Sequence, residues 1–240
     1  PRDEAAKLYA RLGYEDKLLD TGEIFHFWVI EGPKYIAEEL PFDQAGLHVV
    51  FTDDVRPYKK RKVRILNGAH TSLVPVALLC GKKTVGESVA DDTLAAYLRR
   101  VLYKEVIPTL DLAGENLLSF AGAVFDRFAN PYIRHRLTDI ALNTTSKWRA
   151  RILPSVEGYL QIHGDLPASL TFSFAATLEM FDAFGPDIRD GDDINALWDE
   201  LKQGLPGFEA AVDGYRKDIQ TQGCKKALRS LLDEDDSDTP

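Results

Sequence analysis

The stretch Lys62-Val63-Arg64-Ile65-Leu66-Asn67-Gly68-Ala69-His70 joins a basic run to an apolar one, and it decides how the rest of the chain is interpreted. Lys59-Lys60-Arg61 precedes it, and the apolar residues 73–79 follow it closely. If residues 59–79 form an α-helix, Asn67 lies about 140° and His70 about 80° from Lys62 around the axis. The three side chains would then share one broad face and converge on a small molecule.

An ammonium group, an amide and an imidazole suit the reduction of a ketone. Lys62 can protonate the oxygen while hydride reaches the carbon, and Asn67 and His70 can hold oxygen atoms. Lysine titrates near ~10.4, and cationic neighbours lower that pKa. Arg64 and the basic run before it provide such neighbours. This chemistry predicts that the stretch is the wall of a substrate pocket.

Other interpretations of the same residues stay open at this point. A lysine on a helix is usually solvated, and Asn67-Gly68 is also typical of a turn. His70 fits a hydrogen-bonded histidine of the core. The basic residues 59–64 also fit a nucleic-acid patch.

Composition limits the choice of protein class. The chain has 240 residues, 45% of them hydrophobic, which is enough for one large domain or two small ones. A net charge of −9 argues against nucleic acid or an anionic membrane as a partner. With only Cys80 and Cys224, neither a disulfide framework nor a cysteine zinc site is indicated. No apolar run approaches the ~20 residues of a membrane span, and no secretory signal is visible. We therefore expect a cytoplasmic protein.

The hydrophobic pattern predicts a mainly α fold with a small β element near the N-terminus. Two strands are predicted at residues 24–31 and 47–52. Helices are predicted on apolar stripes and capping residues, at 3–12, 34–40, 59–79, 92–106, 116–129, 132–142, 145–160 (kinked at Pro154), 169–184, 193–202, 207–220 and 225–232. We treat residues 1–232 as one helical domain and residues 233–240 as a disordered acidic tail.

The spacing of lysine, four residues, asparagine, two residues and histidine resembles the signature of the mannitol dehydrogenase family of long-chain polyol dehydrogenases. The likeness continues upstream through Phe25-His26-Phe27-Trp28-Val29-Ile30-Glu31-Gly32-Pro33. Downstream it includes Arg127-Phe128-Ala129-Asn130-Pro131-Tyr132-Ile133 and Arg151-Ile152-Leu153-Pro154. The resemblance implies a multi-helical C-terminal substrate domain, similar to the C-terminal domain of 6-phosphogluconate dehydrogenase.

The resemblance also implies an activity. The expected reaction is the interconversion of altronate and tagaturonate with NAD, in which Lys62 is the general acid/base, Asn67 polarises the oxygen and His70 orients a neighbouring hydroxyl. No metal is implied. NAD is expected to bind mainly to an N-terminal nucleotide-binding domain, because this chain shows no glycine fingerprint for a dinucleotide. We expect the present chain to be inactive without that domain.

A second set of candidate residues is expected to bind the far end of the substrate. By resemblance, Lys147 matches the family's basic residue for distal hydroxyls. Asp139 stands where mannitol-type members carry arginine, which argues against a mannitol-like substrate. A sugar acid carries a carboxylate that cations bind well, and Arg134 or His135 is the candidate for it. Arg136 is interpreted as a surface residue.

Three alternatives accompany this interpretation. The nearest is a fructuronate or mannitol-type reductase of the same family. The second is a non-catalytic helical interaction domain, which an exposed Lys62 with no cleft beside it would favour. The third is nucleic-acid binding through residues 59–64, which would be salt-sensitive and which the overall acidity argues against.

Overall fold

Helices make up most of the computed structural model of the chain, which describes residues 2–20, 25–112, 116–185, 188, 190 and 192–236. The chain divides into two compact units, Pro1–Val55 and Arg56–Pro240, within the range for which the sequence predicts one domain. A small sheet lies in the first unit and the described part of the second unit is helical. The predicted fold class is confirmed.

The first unit contains a short parallel pair of strands. Its elements are helix α1 (Arg2–Leu12), strand β1 (Trp28–Glu31), helix α2 (Tyr35–Glu39) and strand β2 (Val49–Thr52). The register pairs Trp28 with Val49 and Glu31 with Thr52. Both strands are shorter than predicted, and the first predicted residue, Ile24, lies outside the described ranges. The two strands and α2 form a small βαβ arrangement.

The second unit begins with a continuous helical run that changes its hydrogen-bond register twice. Its elements are α3 (Arg56–Arg61), a first π-helical segment (Lys62–Asn67), α4 (Gly68–Leu79), α5 (Val85–Val89), α6 (Asp92–Arg99), a second π-helical segment (Arg100–Val106), a 3₁₀ turn (Ile107–Thr109), α7 (Leu117–Phe128), α8 (Leu137–Ile140), α9 (Thr144–Arg151), α10 (Leu153–His163), α11 (Ala168–Phe184), α12 (Ile194–Gly204), α13 (Phe208–Gln222) and α14 (Cys224–Asp236). Helix α14 extends into residues 233–236, where the sequence predicts a disordered tail, and residues 237–240 lie outside the described ranges.

Helix α4 lies in the core because it is apolar on every side, a pattern typical of a buried helix. Ala69, Leu73, Val76 and Ala77 are all fully buried. Helix α11 packs along it. The backbone carbonyl of Ser72 accepts hydrogen bonds from the Tyr97 and Ser173 hydroxyls, which tie α6 and α11 to α4.

The second π-helical segment fixes the N-terminus of α11. The first N–H groups of a helix have no partner within the helix. The buried Glu105 carboxyl group accepts from the backbone N–H groups of Ser169 and Leu170, both at 2.8 Å. Arg100 lies 3.6 Å from the same carboxyl group and donates to the Leu231 carbonyl at 2.9 Å. This segment therefore connects α11 and α14 to the core.

The predicted helix over residues 132–142 is wrong in its first half. Only Leu137–Ile140 is helical, and the backbone before it pairs with residues 83–85 instead. The Val85 N–H donates to the His135 carbonyl at 3.0 Å, and the Leu137 N–H donates to the Lys83 carbonyl at 3.0 Å. A tertiary pairing has replaced the local helix, and it fixes the position of His135.

Candidate active site

The first π-helical segment carries the polar residues of the signature. The Gly68 N–H reaches the carbonyl of Val63, five residues back, which is the π-helical hydrogen bond. This wider turn brings Asn67 closer to the face of Lys62 than the roughly 140° of an α-helix would allow. Single π-helical turns inside α-helices are frequent at functional sites. The segment is therefore a candidate for a ligand-binding turn.

Lys62 is exposed on this turn. Its neighbours Val63 and Arg64 help to line a cavity of about 300 Å³ that also contains Arg56, Lys59, Lys60, Ala150 and Pro154. An exposed Lys62 is one of the two observations that would favour the non-catalytic alternative, and none of Lys62, Asn67 and His70 lines this cavity.

Arg64 anchors the segment in the protein interior. Its side chain is 7% exposed, and it donates to the hydroxyls of Ser155 at 2.8 Å and Thr109 at 3.0 Å. Burial lowers its pKa to about 10, against the opposing effect of Glu157. Arg64 is thus a structural residue, and the predicted influence of its charge on Lys62 stays a prediction.

Asn67 offers an amide without a hydrogen-bond partner in the described part of the chain. Its side chain is half-buried and makes no hydrogen bond with another described residue. Its backbone carbonyl accepts from the Thr71 hydroxyl at 2.9 Å, which fixes the turn between the π-helical segment and α4. The amide is available to a ligand oxygen.

His70 presents a buried nitrogen that likewise has no partner within the described ranges. Its Nε2 atom is inaccessible to solvent and makes no hydrogen bond with any described residue. The ring packs on Phe128, with 4.2 Å between the centroids, and meets His135 edge-on at 6.0 Å. Buried polar groups normally have hydrogen-bond partners, so the unpaired Nε2 indicates a position for a ligand.

The charge state of His70 follows from its surroundings. Burial, the largest cause, and the nearby charges of His135, Arg151 and Arg127 together lower its pKa to about 4, against the opposing effect of a hydrogen bond to the backbone of Leu66. The imidazole is therefore neutral near pH 7. Since one ring N–H is directed to the Leu66 carbonyl, Nε2 is a hydrogen-bond acceptor, suited to a substrate hydroxyl.

The other predicted substrate residues, Lys147, His135 and Arg134, do not all lie in one place. Lys147 Nζ donates to the carbonyls of Ile140, at 2.9 Å, and Leu142, so one N–H remains for a ligand. His135 lies beside His70. Arg134 lines a separate cavity of about 930 Å³ to which none of Lys62, Asn67, His70 or His135 contributes. The structure therefore brings His70 and His135 together and places Arg134 elsewhere.

Two cations that lie near His70, Arg127 and Arg151, received no role in the sequence analysis. Both belong to stretches that carry the family resemblance. Arg151 also lies four residues after Lys147 on α9, a spacing that places two side chains on the same helix face. That spacing is the signal in the sequence that could have indicated Arg151 as a site residue.

The described residues were also compared with the requirements of a metal site and of a membrane span. Within the described ranges, no three His, Cys, Asp or Glu side chains are grouped as metal ligands would be. None of the described helices has the length and apolar content needed to cross a membrane.

Sequence comparison matches this chain to proteins of known family. The family model for the mannitol dehydrogenase C-terminal domain matches residues 54–207. An altronate oxidoreductase of Escherichia coli (strain 536) is 52% identical over 249 residues, covering 97% of this chain and 52% of that protein. The altronate oxidoreductase of Yersinia enterocolitica is 47% identical over 216 residues, covering 85% and 44%. The chain spans about half the length of the curated relatives it matches.

Two solved structures share the fold of this chain. Pseudomonas fluorescens mannitol 2-dehydrogenase, in a ternary complex with NAD and D-mannitol, has 23% identity and a TM-score of 0.75, covering 97% of this chain and 52% of that one. A substrate-free D-sorbitol dehydrogenase has 27% identity and a TM-score of 0.78, covering 95% and 51%. The first likeness supports the fold alone. With the family model matching residues 54–207, the chain belongs to the family of mannitol dehydrogenase C-terminal domains.

Proposed function

We propose that this chain is the substrate-binding part of a nicotinamide-dependent oxidoreductase that interconverts altronate and tagaturonate in hexuronate catabolism. The observation that carries the proposal is the 52% identity to altronate oxidoreductase across 97% of the chain. The polar groups of Asn67 and His70 support it, because they have no partner among the described residues and each can bind a ligand oxygen. We further propose that the enzyme is cytoplasmic.

Lys62 is the proposed general acid/base. During reduction, the substrate carbonyl oxygen takes a proton from the Lys62 ammonium group while its carbon accepts a hydride, and the ketone becomes an alcohol. During oxidation, the neutral amine takes the hydroxyl proton back. Because Lys62 lies on an exposed turn of the described chain, bulk water can restore its proton after each cycle. General acid/base catalysis of this kind contributes about 10²- to 10⁴-fold to a rate.

Asn67 and His70 have the proposed role of orienting the substrate. The Asn67 amide donates to the reacting oxygen, where negative charge develops before the proton arrives. The neutral His70 accepts a hydrogen bond from the adjacent hydroxyl through Nε2. Lys147 can add one donor for a distal hydroxyl, since its other donors are held by backbone carbonyls.

The described residues do not fit a dinucleotide site. In the βαβ arrangement, the turn after β1 is Glu31-Gly32-Pro33-Lys34, which has a single glycine and includes a proline without an N–H. A Cβ atom at Gly32 would lie 2.5 Å from Ile36 Cδ1, the end of a flexible side chain, so the one glycine of this turn is occupied by the Ile36 side chain and leaves no open space for a phosphate there. The nicotinamide cofactor would supply the hydride as NADH during reduction and accept it as NAD⁺ during oxidation, and it is proposed to bind mainly to a separate N-terminal domain.

The test is a substrate panel for the enzyme expressed from its complete gene. Oxidation of NADH would be followed with tagaturonate, fructuronate and fructose in separate assays. We expect tagaturonate to give the highest kcat/KM. A higher value with fructuronate or fructose would move the assignment to another member of the family. Absence of turnover with all three would return the chain to a non-catalytic role.

A further inference from the structure

Arg151 is a partly buried cation whose charge has no counter-ion among the residues that the structure describes. Its side chain is half-buried at the end of α9, and burial lowers its pKa. Among the described residues, its one hydrogen bond is to the Thr71 hydroxyl, at 3.2 Å, and no carboxylate lies within ion-pair distance. A partly desolvated charge without a partner is costly. Four of its five N–H donors are left without a described acceptor.

Arg151 lies directly against the signature segment. The Thr71 hydroxyl that accepts from Arg151 donates in turn to the Asn67 carbonyl at 2.9 Å. A Cβ atom on Gly68 would lie 3.8 Å from the Arg151 carbonyl oxygen, so the absence of a side chain at Gly68 allows α9 to approach this closely. The Arg151 guanidinium is therefore one hydroxyl group away from the turn that carries Asn67.

The surroundings of Arg151 are positive. Arg151 and Arg127 both act on His70 as nearby positive charges, and Arg151 acts on Lys147 in the same way. Asp190 is the carboxylate that acts on Lys147, and it also accepts from the backbone N–H of Thr145 at 2.8 Å. Several positive charges lie close together here, beside the polar groups of Asn67 and His70. Such an arrangement is typical of a site whose ligand brings the negative charge.

We propose that the Arg151 guanidinium binds the carboxylate of the sugar acid and makes the enzyme prefer acids to neutral polyols. The inference rests on the proposed function, since it assigns one residue to the substrate of that reaction. A guanidinium can hold a carboxylate through two parallel hydrogen bonds, which lysine cannot. For the carboxylate, Arg151 replaces Arg134, which lines another cavity, and His135, an exposed imidazole that cannot donate two parallel hydrogen bonds.

The test compares binding of an acid with binding of its neutral analogue. Altronate and altritol, in which CH₂OH replaces the carboxylate, would be titrated calorimetrically into the full-length enzyme with NAD present. In Arg151→Met, we expect altronate binding to weaken by about 10- to 100-fold, the range for a hydrogen bond between charged groups. Altritol binding should change by less than about 3-fold, because Arg151 would not contact it. Arg151→Lys should recover part of the preference.

Arg149→Met is the matched control. Arg149 lies on the same helix, is exposed and pairs with Glu200, so its loss should leave the ratio of the two affinities unchanged. Equal weakening of altronate and altritol in Arg151→Met would reveal a structural role and overturn the proposal, as would unchanged altronate binding. A wild-type enzyme that does not prefer altronate over altritol would also overturn it. Failure of the proposed function would show separately, as missing tagaturonate turnover in the wild type.

Discussion

The two π-helical segments of the second unit have the same backbone geometry but differ in the hydrogen bonds of their polar side chains. In Lys62–Asn67, the Asn67 amide has no described partner, and Lys62 is exposed. In Arg100–Val106, Glu105 and Arg100 are occupied by backbone groups of α11 and α14. A π-helical turn can therefore hold its polar side chains in the packing of the core or leave them available to a ligand, and their hydrogen bonds distinguish the two cases.

Glu105→Ala is expected to give the largest loss of stability. It leaves two buried N–H groups of α11 and the Arg100 charge without their acceptor. We expect the free energy of unfolding to fall by about 3 kcal/mol, measured by urea denaturation. Glu105→Gln retains one acceptor oxygen and should lose about half as much. A loss below about 1 kcal/mol in Glu105→Ala would contradict the packing role of the second segment.

Asn67→Ala should show the reverse behaviour. Its amide binds no described residue, so the free energy of unfolding should stay within about 0.5 kcal/mol of the wild type. The kcat/KM for tagaturonate should fall by about 100-fold, equivalent to about 2.7 kcal/mol, as expected for a donor to a developing oxyanion. Steady-state kinetics and urea denaturation on one preparation would measure both. A stability loss without a kinetic one would assign packing roles to both segments.

His70 should make stability depend on pH. Its pKa is about 4 in the folded protein, against 6.5 for an ordinary histidine, so the unfolded chain binds more protons between these values. The free energy of unfolding therefore falls as the pH drops, by about 2 kcal/mol from roughly pH 7 to roughly pH 5.

The control for this prediction is His70→Phe, which retains a ring against Phe128 but cannot titrate. The slope of stability against pH should become smaller by the amount that His70 contributes. An identical slope in wild type and variant would show that His70 is not held neutral by its surroundings.

The sequence predicts the helices of the core well and the fine geometry of the site poorly. Apolar stripes locate α4, α7 and α11 because burial imposes them. The π-helical segments leave the same apolar pattern as an α-helix, so the closer approach of Lys62 and Asn67 is not visible in the sequence. The extended backbone at His135 results from pairing with residues 83–85, which no local pattern encodes.

Arg64 in the signature segment and Arg151, which packs against it, also show that the sequence does not predict the fine geometry of the site. The sequence predicts an electrostatic role for Arg64 at the site, but in the structure its guanidinium donates to Ser155 and Thr109. No pattern in the sequence indicates a role for Arg151, although Arg151 contacts the signature segment through Thr71. Whether a cation is paired depends on residues 45 to 91 positions away in these cases, and spacing along the chain does not report that.

The most direct test of Lys62 as the general acid/base replaces one lysine of each π-helical segment by methionine. Lys62→Met and Lys104→Met remove exposed lysines from the first and second π-helical segments, and tagaturonate reduction would be measured in both at saturating NADH. We predict that kcat falls about 1,000-fold in Lys62→Met, within the range for loss of a general acid, and changes by less than about 2-fold in Lys104→Met. Retention of wild-type kcat in Lys62→Met, or equal losses in the two variants, would contradict the assignment of the chemistry to Lys62–Asn67.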